Sequence, residues 1–328
     1  MAMDRRGGPP VGELADTFAR IEKNIETVVE GKPEVVRLAL VALLAEGHVL
    51  VEDVPGVGKT LLAKAIARSI ACSVRRVQFT PDLLPSDITG VTVYNQERGD
   101  FEFKPGPIFA NIVLGDEINR AGPKTQSAML EAMEERTVSV DGTTHVLDVP
   151  FLVVATQNPI ELEGTYPLPE AQRDRFLMRL SIGYPSMEAE LDVLDVHGSG
   201  DRVAGLEPVA SASDIAELIE TVKELHAADA LKRYVVEVVR ATRTHAAVEL
   251  GASPRASLAL LRASRAFAAA HGRDYVTPDD VKALVQPVLA HRIILSPEAQ
   301  MSDRTSAAVL DDILASVPIP SAGPGTRR

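Results

Sequence analysis

The chain has no tryptophan, one cysteine among 328 residues, and an aromatic content of only 4%. A lone Cys72 excludes an internal disulfide and any metal site built from several cysteines, and its simplest role is that of a small buried hydrophobe. Long apolar runs are missing too: the longest, Leu38 to Ala45, is far too short to span a bilayer. Arg5 and Arg6 lead into Gly7, Gly8, Pro9 and Pro10 instead of the apolar segment of a signal peptide, so the expected compartment is the cytoplasm. Positive charge is outnumbered, 34 Lys and Arg against 46 Asp and Glu, and the formal net charge of −12 gives no long-range attraction for nucleic acid. The seven histidines show no metal-ligand spacing and are read as structural. A guanine-reading Asn-Lys-x-Asp segment is also absent.

The hydrophobic fraction of 45% and charged fraction of 24% are those of a folded, soluble protein, and the length suits two domains. Residues 1–10 and 318–328, rich in Pro and Gly, are expected to be disordered. Leu14, Phe18, Ile21 and Ile25 recur at helical spacing, and a second helix is expected over Glu34–Glu46. An apolar run follows at His48–Val51, and short β-branched or aromatic runs at Val74–Phe79, Ile112–Leu114 and Phe151–Ala155, with helix-like segments between them. Buried parallel strands alternating with helices give a three-layer α/β domain, here expected over residues 11–185 and ending near Tyr184-Pro185. Two β-hairpins should stand off it. One carries Val91, Val93, Phe101 and Phe103 around Gly99; the other turns at Asp141-Gly142. From Ser186 the composition shifts to Ala, Leu, Val, Glu and Arg with no strand pattern, so residues 186–317 are expected to be an all-α domain. Its signature is the stripe Val281, Leu284, Val285, Val288 and Leu289 behind a Thr277-Pro278-Asp279-Asp280 helix start.

Pro55-Gly56-Val57-Gly58-Lys59-Thr60-Leu61 follows an apolar strand and opens a helix, the context of a phosphate-binding loop. Backbone N–H groups and the helix terminus attract phosphates, Lys59 adds a positive charge, and the Thr60 hydroxyl suits Mg²⁺. Asp53 replaces the first glycine of the general pattern, and its carboxylate is expected to turn away from the phosphates. Ile112 to Gly115 is an apolar run that ends in Asp116 and Glu117. Buried acids are costly unless a cation or a water uses them. Asp116 is therefore the candidate for holding Mg²⁺ and Glu117 for activating water, beside ATP. Asn158, after the run Phe151–Ala155, is a candidate for the attacking water or the γ-phosphate. Arg173 and Arg175 are candidate charges for the developing phosphoryl anion, or else members of a mixed-charge surface helix. Arg255, in the first turn after Ser253-Pro254, opposes the helix dipole, so either a nucleotide phosphate or a salt bridge should compensate.

Longer segments carry a resemblance. Asp116-Glu117-Ile118-Asn119-Arg120-Ala121, Lys124-Thr125-Gln126-Ser127, Glu131-Ala132-Met133-Glu134-Glu135-Arg136, Ala155 to Ile160 and Glu163 to Gln172 together resemble the MoxR family of AAA+ ATPases, over the chain from about Val28 onward. The resemblance implies a ring-forming, usually hexameric ATPase with an α/β domain, two β-hairpin inserts and a helical lid. By matching position, Lys59 and Thr60 belong to Walker A, Asp116 and Glu117 to Walker B, Asn158 is sensor 1, Arg255 sensor 2, and Arg175 takes the arginine-finger slot. Asp53 is common at its position in the family, whereas Arg173 stands where an apolar residue is usual, and Gly115 and Gly122 also depart. Family members act as chaperone-like machines, often with proteins bearing a von Willebrand factor A domain. A magnesium-chelatase-type motor subunit and a nucleotide-gated scaffold with little turnover are the competing readings.

Overall fold

The computed structural model describes residues 9–53, 56–158, 165–184, 187, 191 and 202–320. The chain forms two compact units, one of residues 16–219 and one of residues 1–15 with 220–328. That division falls later than Tyr184-Pro185; Pro185, Pro55 and most of the residues expected to be disordered at the two ends lie outside the described residues.

In the first unit the apolar runs become β1 (Val49–Glu52), β2 (Val74–Gln78), β5 (Ile112–Asp116) and β8 (Leu152–Gln157), joined at one edge by β9 (Met178–Leu180). Among the described residues these make a five-stranded sheet in the order β2-β5-β8-β1-β9, with every pairing parallel. Leu50, Val113, Val153 and Ala155 are fully buried, as strands covered on both faces must be. Helices α1 (Val11–Glu26), α2 (Pro33–Leu44), α3 (Lys59–Ser69), α4 (Pro85–Thr89) and α5 (Pro123–Glu135) precede or connect the strands.

Both expected hairpins are present: β3 (Gly90–Asn95) with β4 (Asp100–Pro105), and β6 (Thr137–Val140) with β7 (Thr143–Val146). The second turns through Asp141 and Gly142 at φ 51° and 80°, the left-handed pair a two-residue hairpin loop demands. His48 is structural, as expected. Its Nδ1 accepts from the Val153 N–H at 3.0 Å, so Nε2 carries the proton and donates to the Met133 carbonyl at 3.0 Å.

The second unit is mainly helical, including Asp229–Ala241, Pro254–Ala270, Pro278–Leu289 and Ser306–Ser316. All five residues of the stripe from Val281 to Leu289 are fully buried. The Thr277 hydroxyl accepts from the Asp280 N–H, and the Asp280 carboxylate accepts from the Thr277 N–H at 2.7 Å, closing a capping box. One expectation fails here: Val248–Leu250 pairs antiparallel with Ile294–Leu295. Segments of three and two residues are too short to show a period of two, so nothing in the sequence marked them as strands. No described helix is long and apolar enough to cross a membrane.

Candidate nucleotide and metal site

Because β1, β5 and β8 are parallel neighbours or next neighbours, their carboxyl ends open on one side of the sheet, where open α/β folds bind ligands. A pocket of about 210 Å³ lies there. The β1–α3 loop supplies Gly56, Gly58, Lys59 and Thr60 to it, the end of β5 supplies Asp116 and Glu117, and the end of β8 supplies Thr156 and Asn158.

Gly56 and Gly58 stand at φ 85° and 94°, a left-handed backbone that suits glycine. Gly58 caps α3 and has no side chain to accept its first N–H groups, so these remain available to an anion. Lys59 and Thr60 occupy the first turn. The Lys59 ammonium donates to the Asp53 carbonyl at 2.7 Å. Burial pushes its pKa below the ordinary lysine value, against the opposing charges of Asp53, Asp116 and Glu117. Val57 and Leu61 contribute backbone positions to this turn, and Pro55 lies outside the described residues.

The Asp53 carboxylate does turn away from the loop. It accepts from the Ser181 hydroxyl at 3.1 Å and from the N–H groups of Ile182 and Gly183, just beyond β9. The carboxylate therefore ties the loop to the edge strand, while its charge is still felt at the Lys59 ammonium.

Asp116, 7% exposed, accepts from Arg76 Nε at 2.6 Å and from the Thr156 hydroxyl at 3.3 Å. Glu117 sits at φ 59°, a rare conformation for a non-glycine residue, fixed by its N–H donating to Thr156 Oγ1 at 2.9 Å. Its carboxylate accepts from Gln78 Nε2 at 2.7 Å and faces Arg120 Nη1 at 3.3 Å. Among the described residues no cluster of three or more His, Cys, Asp or Glu could hold a metal. The donors present are one hydroxyl and one carboxylate beside an anion cradle. That set fits a hard ion completing its shell with phosphate oxygens and water, as Mg²⁺ does.

Arg76, Gln78 and Thr156 line the pocket and were not singled out as functional from the sequence. A signal existed for the first two. Arg76 and Gln78 are two apart in β2, hence on one face, while Val77 faces the core. Only the pairing of β2 with β5 shows that this face adjoins Asp116.

Arg175 does not line this pocket and pairs through Nε with Glu134 of α5 at 3.1 Å. Arg173, in the short helix Glu170–Arg173, lies 3.8 Å from Glu170. Arg255 belongs to the other unit, where its N–H donates to the Ser253 hydroxyl that caps the helix Pro254–Ala270. The expected cap and first-turn position are thus both present.

Comparison with known proteins decides the family. A profile for the AAA class (ATPase family associated with various cellular activities) matches residues 48–178, and one for the AAA lid domain matches 240–313. Chaperone MoxR1 of Mycobacterium tuberculosis is 44% identical over 93% of this chain and 82% of its own length. The chain belongs to the MoxR family of AAA+ ATPases. The uncharacterised protein YeaC of Bacillus subtilis is 52% identical over 94% of this chain and 96% of that one. A solved structure described as a candidate ATPase, from Cytophaga hutchinsonii, superposes with a TM-score of 0.88 at 39% identity, covering 94% and 96% of the two chains. MoxR-family membership carries with it an α/β nucleotide-binding core and a lid domain, the architecture described above.

Proposed function

We propose that this MoxR-family protein binds ATP with Mg²⁺ in the pocket at the carboxyl ends of β1, β5 and β8 and hydrolyses it. The observation that carries this reading is the convergence of a left-handed glycine loop, Lys59, Thr60, two carboxylates and Asn158 on one pocket. Lys59 and the α3 terminus hold the phosphates, while Thr60 and Asp116 hold the metal, which neutralises phosphate charge. Glu117 takes the proton of the attacking water, and Asn158 orients that water or the γ-phosphate. Arg255 answers nucleotide charge from the lid, and Arg175 serves the neighbouring subunit of a hexameric ring. The energy drives chaperone-like remodelling or maturation of partner protein complexes in the cytoplasm, the partner being a protein client or a von Willebrand factor A domain protein. The name of the M. tuberculosis relative, a chaperone, supports that role.

The test pairs two variants. Lys59→Ala should abolish retention of a fluorescent ATP analogue with magnesium. Glu117→Gln should retain it while phosphate release drops on the order of a hundredfold or more. Normal turnover by Glu117→Gln would remove Glu117 from the role of base. Negligible turnover by the unmodified protein, with and without candidate partners, would favour the nucleotide-gated scaffold.

A further inference from the structure

Asp116 is a buried carboxylate, and an uncompensated charge there would be expensive. Its compensation comes from Arg76, whose Nε lies 2.6 Å from Oδ2. The two side chains differ sharply in environment: 57% of Arg76 is exposed against 10% of Asp116. Arg76 also stands on the edge strand of the sheet and lines the same pocket as Thr60 and Lys59. Its long stem can therefore swing without disturbing the pairing of β2 with β5.

We infer that Arg76 is a placeholder cation: it pairs with Oδ2 of Asp116 while no nucleotide is bound, and must leave for a divalent ion to be held. This rests on the proposed reading of the pocket as a metal–nucleotide site. Both cations need the lone pairs of the same carboxylate, and like charges beside one another in a partly desolvated pocket repel. Lys59 feels the Asp116 charge too, but its ammonium donates to the Asp53 carbonyl at 2.7 Å, and the close contact on the Asp116 carboxylate is that of Arg76. Glu117, the other acid of the pocket, is held by Gln78 and Arg120. Arg76 Nη2 also donates to Gln78 Oε1 at 3.1 Å, so its departure releases one tie on the side chain that holds Glu117. The arrangement keeps metal alone out of the empty pocket and lets it enter together with phosphates, towards which the freed guanidinium can turn.

The probe is Mn²⁺, titrated into nucleotide-free protein while the free ion is followed by electron paramagnetic resonance. Arg76→Gln should bind Mn²⁺ about five- to tenfold more tightly than the unmodified protein, the scale expected of a half-exposed charge opposite a buried one. Arg76→Lys, which keeps the charge, should return the affinity towards the original. The double variant Arg76→Gln with Asp116→Asn should lose the gain. Equal Mn²⁺ affinity in Arg76→Gln and the unmodified protein, or a gain that survives Asp116→Asn, overturns the inference. Should Arg76→Gln fail to fold, Arg76→Met, which keeps the apolar stem and drops the charge, takes its place with the same expected and overturning outcomes. ATP retention by the unmodified protein and its loss in Lys59→Ala are measured separately. A failure there condemns the nucleotide site and leaves the Mn²⁺ result as a statement about Asp116 alone.

Discussion

At the scale of single residues, the chemistry of this site depends on which way short polar side chains point. Asp53 is the clearest case. Removing its carboxylate strips acceptors from Ser181 Oγ and from two backbone N–H groups at the end of β9. Asp53→Ala should therefore cost about 2 kcal/mol of stability, as when a charged acceptor is taken from buried donors, read from urea unfolding. Asp53→Ala should also weaken ATP retention, because the loop that leads to Lys59 loses its side-chain anchor beyond β9. A variant as stable as the original would show that the contacts to β9 carry no net free energy. Cys72 makes the opposite point. It is only partly buried, not the buried hydrophobe expected, yet desolvation still pushes its thiol up to about 12, so at pH 8 almost none of it is thiolate. Iodoacetamide should label the folded protein far more slowly than the urea-unfolded chain, and comparable rates would contradict the burial. The pocket residues legible from the sequence, Gly56, Gly58, Lys59, Thr60, Asp116 and Glu117, are those marked by local chain context. Arg76 and Thr156 act through partners some forty residues away, and no local pattern reveals that.

Elements show why the two units differ in legibility. Four strands of the α/β sheet were readable because each is a short apolar, β-branched or aromatic run, whereas the three-residue β9 was not expected. The hairpins were readable because their turns need left-handed backbone, and Gly99 and Asp141-Gly142 supply it. In the lid, the capping box at Thr277 was also local, but its reinforcement was not. The Asp280 carboxylate, nearly fully buried, accepts from Arg273 Nη1 at 2.6 Å, four residues before the cap. Burial acts to raise its pKa, yet the hydrogen bonds from Arg273 and Thr277 outweigh that and hold it below the ordinary aspartate value. A folded pKa below the unfolded one means stability that is present above the unfolded value, near ~3.9, and is lost as pH falls through the folded value. Thermal melts from pH 6 down to pH 2 should therefore lose part of the stability below about pH 4. Asp280→Asn should be about 2 kcal/mol less stable at pH 6 and lose less on acidification, since the group that titrates is gone. An unchanged acid dependence in Asp280→Asn would assign the loss to other carboxylates.

For the whole molecule, the decisive question is whether a protomer is chemically complete. Arg175 does not line the pocket of its own chain and pairs instead with Glu134. If it serves a neighbour, Arg175→Ala should bind ATP normally yet hydrolyse it on the order of 10³ times more slowly. Mixing Arg175→Ala with Lys59→Ala subunits should then restore some turnover, because one supplies intact pockets and the other intact arginines. Full activity in Arg175→Ala would leave the residue with no role beyond its pairing with Glu134. Light scattering with and without a nonhydrolysable ATP analogue reports the assembly itself.

The sequence by itself determined the left-handed glycine loop, the two carboxylates, the hairpin turns and the helix caps, because each is a property of a few adjacent residues and their backbone preferences. Tertiary structure alone decided that β2 lies beside β5, and hence that Arg76 meets Asp116 and Gln78 meets Glu117. It also decided where the Asp53 carboxylate points, and that two fragments of the lid pair as strands. Strand order is set by how buried faces pack across long loops, a global free energy that no short window of residues encodes.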